Sequence, residues 1–561
     1  MAVETDRLEC QTYVVGASCL AQELLRRLEV VATIDAALTA QPTVPATYGQ
    51  LAQVLILNRM TLAPQPLYQL ATWAAQHGID RLCGLDAAWL DDDRLGAMLE
   101  ALAAHQVTIW SQLVATACDQ FPVAREWLHG DTTSIYFEGA YRPAGVGTPE
   151  SQERVPRLVR GFNKDGHPEN VQMVLSLVTA GRVPLWYRPW NGNQSDDAVY
   201  LADMTALREQ LLAPDNAVLI GDRKMGNQAT MLAFCRQGQQ FLTAHAWTET
   251  VKALWLTTEG RLAAGELAWE PVAYTSRNDA AKPPEQAPQY RVIEVEGELV
   301  DAARGTAYPL RWVFVHSSEK AAQDAARREA AVAKGEAALA QVAGRLGKYD
   351  YKQRAVIESR LQAALRKAHA QPYLRYTLEG RDGSRDWVLR WEREAAALAE
   401  AARFDGVTVL CTNVRRERLT APAAMVKYRE QVRVEQTIDF LKSPVQIRPM
   451  WLHSPQRLAG LTLLIMIAVL VASLMEAQVR QWIADTGCLV TGLKPEGRDN
   501  AYPTATAILR AFADYTLVLL RHPSGQYTIH YPKLRPAQQQ LWEILKLPPL
   551  PPKPLRVGSG K

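Results

Sequence analysis

Acidic residues at the edges of apolar, strand-like runs are the first in this chain that could do chemistry. Asp131 sits in HGDTTSIY, and Asp222 closes the short run NAVLIGD. A carboxylate just past an apolar strand gains nothing from a sheet, and its hard oxygens suit a divalent cation. The plainer reading of either is a turn aspartate. A third group is denser: Tyr428, Gln431, Glu435 and Lys442 lie in one predicted helix, and at 100° per residue they share an arc of roughly 60°. A tyrosine, an acid and a lysine on one stripe can hold both a cation and a phosphate, although a solvated helix face has the same spacing. Asp439, about 20° around the same wheel, stays open as the ligand on geometry alone. Between Asn413 and Gly460 nine Lys/Arg stand against four acids, which suits a polyanion such as DNA, whose backbone dominates affinity. The nucleotide loops GxxxxGK[ST] and GxGxxG are missing, as are HExxH and GxSxG. His129, beside Asp131, reads as structural.

The elements that must position these residues read as several domains. The chain has 561 residues, 48% hydrophobic and 22% charged, as in an ordinary globular protein, and its length asks for about three to five domains. Sixty-two Lys and Arg against 59 Asp and Glu leave +3, so a nucleic-acid surface would be a local patch. Seven scattered cysteines without a CxxC pair argue against a disulfide framework or structural zinc and fit a reducing cytoplasm. The first residues carry no secretory pattern.

Apolar spacing predicts helices over 13–118, one of them starting at Asp91-Asp92-Asp93, where acids favour the helix dipole. From about 125 the texture turns strand-like. WLHGDTTSIYFEG is followed by VQMVLSLVTA and VPLWYRPW, joined by Gly181-Arg182, then by NAVLIGD, a helix at QATMLAFCRQ and a strand at QFLTAHAW. Residues 250–405 form another layer, with β-like stretches around an Ala-rich charged segment, Ser318 to Leu346, read as an exposed helical arm. The tryptophans of this layer (Trp255, Trp269, Trp312, Trp387, Trp391) read as core rather than as platforms for unpaired bases. Strand texture resumes at GVTVLCTNV. The 18 uncharged residues Leu458 to Met475 reach the lower limit of a membrane span, yet one such stretch between Arg457 and Glu476 reads better as a buried central helix. A helix at ATAILRAFADYTLVLL, a hairpin at PSGQ and a flexible Pro-rich basic tail from Pro548 complete the chain.

In order and context these pieces resemble the DDE-type bacterial insertion-sequence transposases of the IS-four-like superfamily. The spacing Tyr428-x2-Gln431-x3-Glu435-x6-Lys442 is similar to their YREK signature. HGDTTSIYF, GFNKDGHPEN (161–170), the GNQSD turn (192–196), IGDRKMGN, DGVTVLCTN and IRPMWLHSPQRLAGLTLL stand around it in matching order. The resemblance spans roughly 125–475, and the N-terminal helical region resembles the leading domain of one branch of the family.

The resemblance implies an α/β fold: an RNase H-like catalytic core, a mixed sheet with flanking helices, interrupted by a β-rich insertion domain and preceded by an N-terminal helical domain. The insertion would occupy the 212 residues between Asp222 and Glu435. The expected boundaries are 1–120 for the helical domain, a candidate for binding DNA ends, and 121–250 for the first part of the core. The insertion follows at 251–405 with its arm at 318–346, then the second part of the core with the YREK-like helix at 406–485 and a C-terminal region at 486–561. Asp131, Asp222 and Glu435 become the catalytic, metal-binding triad, with Mg2+ as the ion and Mn2+ as a substitute. Tyr428, Gln431, Lys442, Arg433, Arg223 and Lys224 become DNA contacts.

The implied activity is cleavage at insertion-sequence ends and strand transfer into target DNA by two-metal phosphoryl transfer. Its implied agent is a homodimer in a paired-end complex on double-stranded DNA, cytoplasmic and at the nucleoid, with no membrane. Two residues depart from the pattern. Gln431 replaces the signature arginine and brings no charge, and Lys224 stands where glycine is usual. A non-catalytic DNA-binding descendant and a non-transposing nuclease with the same core are the competing readings.

Overall fold

Acid-rich and proline-led starts, apolar runs and glycine turns build the elements that surround the expected site. The computed structural model describes residues 9–38, 45–61, 63–137, 155–163, 166–195, 198–276, 279, 282–283, 286–443, 445, 452, 454–493, 499–522, 527–551 and 555–557. Residues 164–165 of GFNKDGHPEN, Asp196 of GNQSD, residues 447–451 and 453 ahead of the apolar helix, PSGQ and the last residues of the tail lie outside them. Two compact units result, Met1–Phe241 with Arg429–Lys561, and Leu242–Tyr428.

In the first unit the Asp91 side chain accepts from the Arg94 amide at 3.0 Å and caps the helix Asp92–Gln120, as the acid run predicts. That helix packs along the helix Pro455–Thr486, which starts with Ser454 capping the Arg457 amide and a proline in the first turn. Every residue from Leu458 to Glu476 is buried. Among the described residues this is the one helix long and apolar enough to cross a membrane, and its flanks are covered by Tyr48–Arg59, Asp92–Gln120 and a strand of the sheet. A helix apolar all round is thereby explained as core.

β1 (Glu9–Val14) belongs to a separate sheet described below; the sheet near the expected site is built from β2 (Trp127–Phe137), β3 (Val171–Ala180) and β4 (Val183–Asn191), an antiparallel meander. Gly181, at φ +61°, makes the β3–β4 turn with Arg182. β5 (Val218–Gly221) joins the other edge of β2 in parallel, so the order is β4-β3-β2-β5. Asp131 is thus the fifth residue of an eleven-residue strand rather than a strand-end residue; only the pairing with β5 stops short of it.

The second unit holds β6 (Gln240–His245), β7 (Glu270–Val272), β8 (Tyr290–Asp301), β9 (Thr306–Ser317), the hairpin β10 (Leu374–Glu379) with β11 (Val388–Arg393), and β12 (Val407–Thr412). Antiparallel pairing gives the order β6-β12-β9-β8-β7. The sequence places β12 with the returning core; here both of its edges are taken by β6 and β9, which a run as apolar as VTVLC needs. The unit therefore extends beyond the expected 251–405 at both ends.

Trp255 is buried with Ile293, Phe314 and Val409, and Trp269 and Trp312 pack against them. The Ala-rich segment is not an exposed arm. Its helix, Ser318–Ala343, pairs with Arg354–Ala368 and closes on the β10–β11 hairpin around Leu339, Ile357, Leu361 and Trp387, with Trp391 alongside. Small side chains allow the approach: a Cβ on Gly335 would meet Ala370 and Leu374 at 2.6 and 2.7 Å.

The chain ends meet in the first unit. β1, unforeseen in a stretch read as helical, pairs with β13 (Thr516–Arg521), which continues through β14 (Tyr527–His530) to β15 (Leu555–Val557). The predicted helix at ATAILRAFADYTLVLL stops at Ala511, and its second half is β13. Nor is the start of the tail loose: the Trp542 indole donates to the Pro548 carbonyl at 2.8 Å, and β15 lies within the predicted tail.

The crossing of the two long helices depends on Gly460, where a Cβ would stand 2.0 Å from the Leu99 carbonyl oxygen. Gly460→Ala is expected to lower stability by about 1–3 kcal/mol or more, read as a lower midpoint in thermal or urea denaturation.

Candidate active site

The site is built from a strand, a strand end and a helix start. β5 pairs with β2 in the register Trp127–Val218, Leu128–Leu219, His129–Ile220. Continued by two residues, that register sets Asp131 beside Asp222, on chains about 4.8 Å apart. Asp222 opens the turn that leads into the helix Gln228–Arg236, and its Oδ1 accepts from the Lys224 amide at 3.0 Å and from the Tyr200 hydroxyl at 2.7 Å. Asp131 Oδ1 accepts from the Thr132 amide at 2.7 Å. His129 is buried inside β2.

Glu435 lies in the first turn of the helix Val432–Lys442, which packs on β2 and β3. Here the structure departs from the helical wheel. The predicted single helix is two, Ala421–Arg429 and Val432–Lys442, with a turn at Glu430 and Gln431. The four signature residues therefore do not lie on one unbroken helix: Tyr428 falls in the first of the two, and Glu435 and Lys442 in the second.

Gln431 is not a surface group either. It is 6% exposed, and its Nε2 donates to the Gly130 carbonyl at 2.8 Å. The helix is held further along by Thr437, whose hydroxyl donates to the Arg182 carbonyl at 3.1 Å, and by Arg182 Nη2, which donates to the Gln436 carbonyl at 3.1 Å. Arg182 is itself fixed by buried Glu476, donating to both carboxylate oxygens at 2.7 and 2.6 Å.

Residues 145–471, more than half of the chain, match the family described as transposase DDE domain. The chain belongs to the DDE transposase family. Residues 11–115 match a domain of unknown function, DUF4277. No curated protein matches. Solved structures do, among them two of the Mos1 transposase. The Mos1 strand transfer complex has 13% identity and a TM-score of 0.15, over 40% of this chain and 67% of that one. The paired-end complex with the left transposon end has 12% identity and a TM-score of 0.14, over 36% of this chain and 60% of that one.

The protein is accordingly a transposase, of a family that generally uses divalent metal ions. Its matched region begins after Asp131 and takes in Asp222 and Glu435. The donors available here are carboxylate oxygens, the chemistry of a hard cation. The Glu435 carboxyl is raised above its usual range, by burial first and then by the negative charges of Asp439 and Asp222. The Glu435 and Asp222 carboxylates are thus near enough for their charges to interact, and a cation held by both would relieve that repulsion. Among the described residues no group of three or more His, Cys, Asp or Glu side chains stands close enough together to hold a metal ion. β2 carries Asp131, β5 leads into Asp222, and the helix packed on β2 carries Glu435.

Of the expected cationic groups, Arg223 and Lys224 are exposed immediately after Asp222. Arg433 is exposed and paired with Glu430 at 2.9 Å, and Lys442 is half-buried at the far end of its helix. Sequence reasoning missed Tyr200 and the Arg182–Glu476 pair. For the pair there was a signal: an acid ending an 18-residue apolar run needs a buried cation. For Tyr200 there was none.

Two carboxyls in this transposase bind protons more tightly folded than unfolded. Asp203, on the same helix as Tyr200, is pushed by burial from 3.8 up to about 7, against opposing hydrogen bonds from Ser176 and Trp186 and the charge of Arg188. Glu435 is the second. Because each raised group is stable protonated, its contribution is complete below the ordinary carboxylate range and is lost as pH rises through the folded value. Stability in chelator should fall from about pH 4 toward pH 7. Asp203→Asn and Glu435→Gln should each flatten part of that fall in denaturation curves, and added Mg2+ should offset only the part due to Glu435.

Proposed function

We propose that this transposase cleaves DNA at the ends of its insertion sequence and joins the freed ends to target DNA, with Asp131, Asp222 and Glu435 as the residues that hold Mg2+, or Mn2+ in its place. The observation that carries the reading is that the Glu435 helix is tied through Gln431 to the strand of Asp131, which pairs with the strand leading into Asp222, in a chain of the DDE transposase family. The sheet order β4-β3-β2-β5, antiparallel on one side of β2 and parallel on the other, fits an RNase H-like core.

The reaction is an in-line displacement at phosphorus. A water or DNA 3′-hydroxyl oxygen forms the new P–O bond, the bond to the leaving oxygen breaks, and the nucleophile's proton passes to solvent. Bound divalent ions would supply charge stabilisation to the attacking and leaving oxygens. The chain's own part is to keep three carboxylates ionised and close, and to hold the phosphate backbone over them. Arg223, Lys224, Arg433 and Lys442 are exposed or half-exposed cations on the elements that carry Asp222 and Glu435, and serve the second task by neutralising phosphates. Tyr428 is assigned to the same backbone contact. Buried Gln431 is withdrawn from it.

The partners are double-stranded transposon ends and target DNA in the cytoplasm, met by a homodimer in a paired-end complex. The helical region that precedes β2 is the candidate for end recognition, and Leu242–Tyr428 is the insertion.

The test is alanine substitution of each acid in the full chain, with end-containing DNA and Mg2+. Each variant should lose end cleavage on a sequencing gel while its band shift with the same DNA is kept. Cleavage that survives any one substitution removes that residue from the triad. Wild-type protein that binds but never cleaves would mark a non-catalytic descendant, and cut products that never join would mark a nuclease.

A further inference from the structure

Two contacts converge on Gly130, the residue before Asp131. From one side the Gln431 amide donates to its carbonyl at 2.8 Å, and Gln431 stands at the start of the Glu435 helix. The other contact is the Tyr200 ring: a Cβ on Gly130 would lie 3.3 Å from Tyr200 Cδ1 and from Leu219 Cδ1. That same tyrosine donates its hydroxyl to Asp222 Oδ1 at 2.7 Å. Both side chains are buried, Tyr200 at 2% and Gln431 at 6% exposure. One glycine thus connects the strand of Asp131, the partner of Asp222 and the cap of the helix that carries Glu435.

We infer that Tyr200 and Gln431 are positioning residues that meet at Gly130 and set the spacing of the three carboxylates, and with it the affinity of the site for a divalent cation. The inference rests on the reading of Asp131, Asp222 and Glu435 as metal ligands. Stability alone does not account for Gln431. Its Oε1 is buried without a hydrogen bond, a cost that an apolar side chain of equal length avoids. A hydroxyl that donates to the Asp222 carboxylate and an amide that fixes the backbone beside Asp131 act as outer partners of a metal site, where substitution typically weakens metal binding about 10–100-fold.

The experiment titrates Mn2+ into full-length protein without DNA and follows the thermal midpoint, for wild type, Tyr200→Phe, Gln431→Met, Gln431→Asn and Asp222→Asn. Tyr200→Phe removes one oxygen and keeps the ring over Gly130; Gln431→Asn keeps the amide and shortens its reach. In chelator these variants should melt close to wild type, while the half-saturating Mn2+ rises about 10–100-fold in the Tyr200 and Gln431 variants. Asp222→Asn should lose the Mn2+ shift. The Mg2+ concentration for half-maximal cleavage should move in parallel.

Unchanged half-saturation, with or without a lower midpoint in chelator, would make the two residues plain packing and overturn the inference. If Gln431→Met does not fold, Tyr200→Phe and Gln431→Asn decide it in the same way. Asp222→Asn that still shifts with Mn2+ and still cleaves would instead overturn the triad reading, which keeps the two failures apart.

Discussion

Like charges repel, and a cluster of Asp222, Glu435 and Asp439 must be held by contacts outside itself. The Glu435 carboxyl is raised by burial first and then by the charges of Asp439 and Asp222. Holding it requires a rigid support on each side, and the fold provides one through a buried ion pair. Glu476, 2% exposed, accepts from Arg182 and Arg480 and from the Ala505 amide. Arg182 then fixes the carbonyl of Gln436, next to Glu435. A pair as deep as this adds little net stability over apolar packing, but removing one partner typically costs about 3–5 kcal/mol. Its value lies in fixing one arrangement: the β3–β4 turn, the apolar helix and the Glu435 helix cannot move separately.

The apolar helix Pro455–Thr486 explains why the first unit gathers distant parts of the chain. A rod of buried residues must be covered on every side, and the sheet covers only one. The helices Tyr48–Arg59 and Asp92–Gln120 cover others, and Gly460 lets the latter approach to backbone contact. A region expected to stand apart as an N-terminal domain is therefore part of the wall behind the site. The pairing of β1 with β13 closes the same wall from the chain ends.

Local pattern made much of this legible. Alternation and glycine turns located β2 to β5, and Asp91 announced its helix. The two aspartates stood out because carboxylates at apolar strands lack a folding role. What escaped was whatever depended on a neighbour distant in sequence. TLVLL suits a helix or a strand, and only β1 on one edge and β14 on the other decide it. The Ala-rich segment looked too weak for a seam because its partners, Arg354–Ala368 and a hairpin, gave no sign of themselves in its own sequence. A helical wheel assumes an unbroken helix, and the turn at Glu430 and Gln431 removes that assumption where the signature needs it.

That turn also gives a physical account of the departure from the signature. A side chain at position 431 that is 6% exposed and aimed at the Gly130 carbonyl sits where an ionised group would lose nearly all of its hydration. A guanidinium there would need a carboxylate partner, and any supplied by Asp131 or Glu435 would be taken from the metal. An amide donates the same hydrogen bond without competing for the acids. The loss of charge at 431 and the burial of 431 are thus one fact. The exposed cations nearby, Arg223, Lys224 and Arg433, stand instead in water, where hydration lowers the cost of keeping a charge.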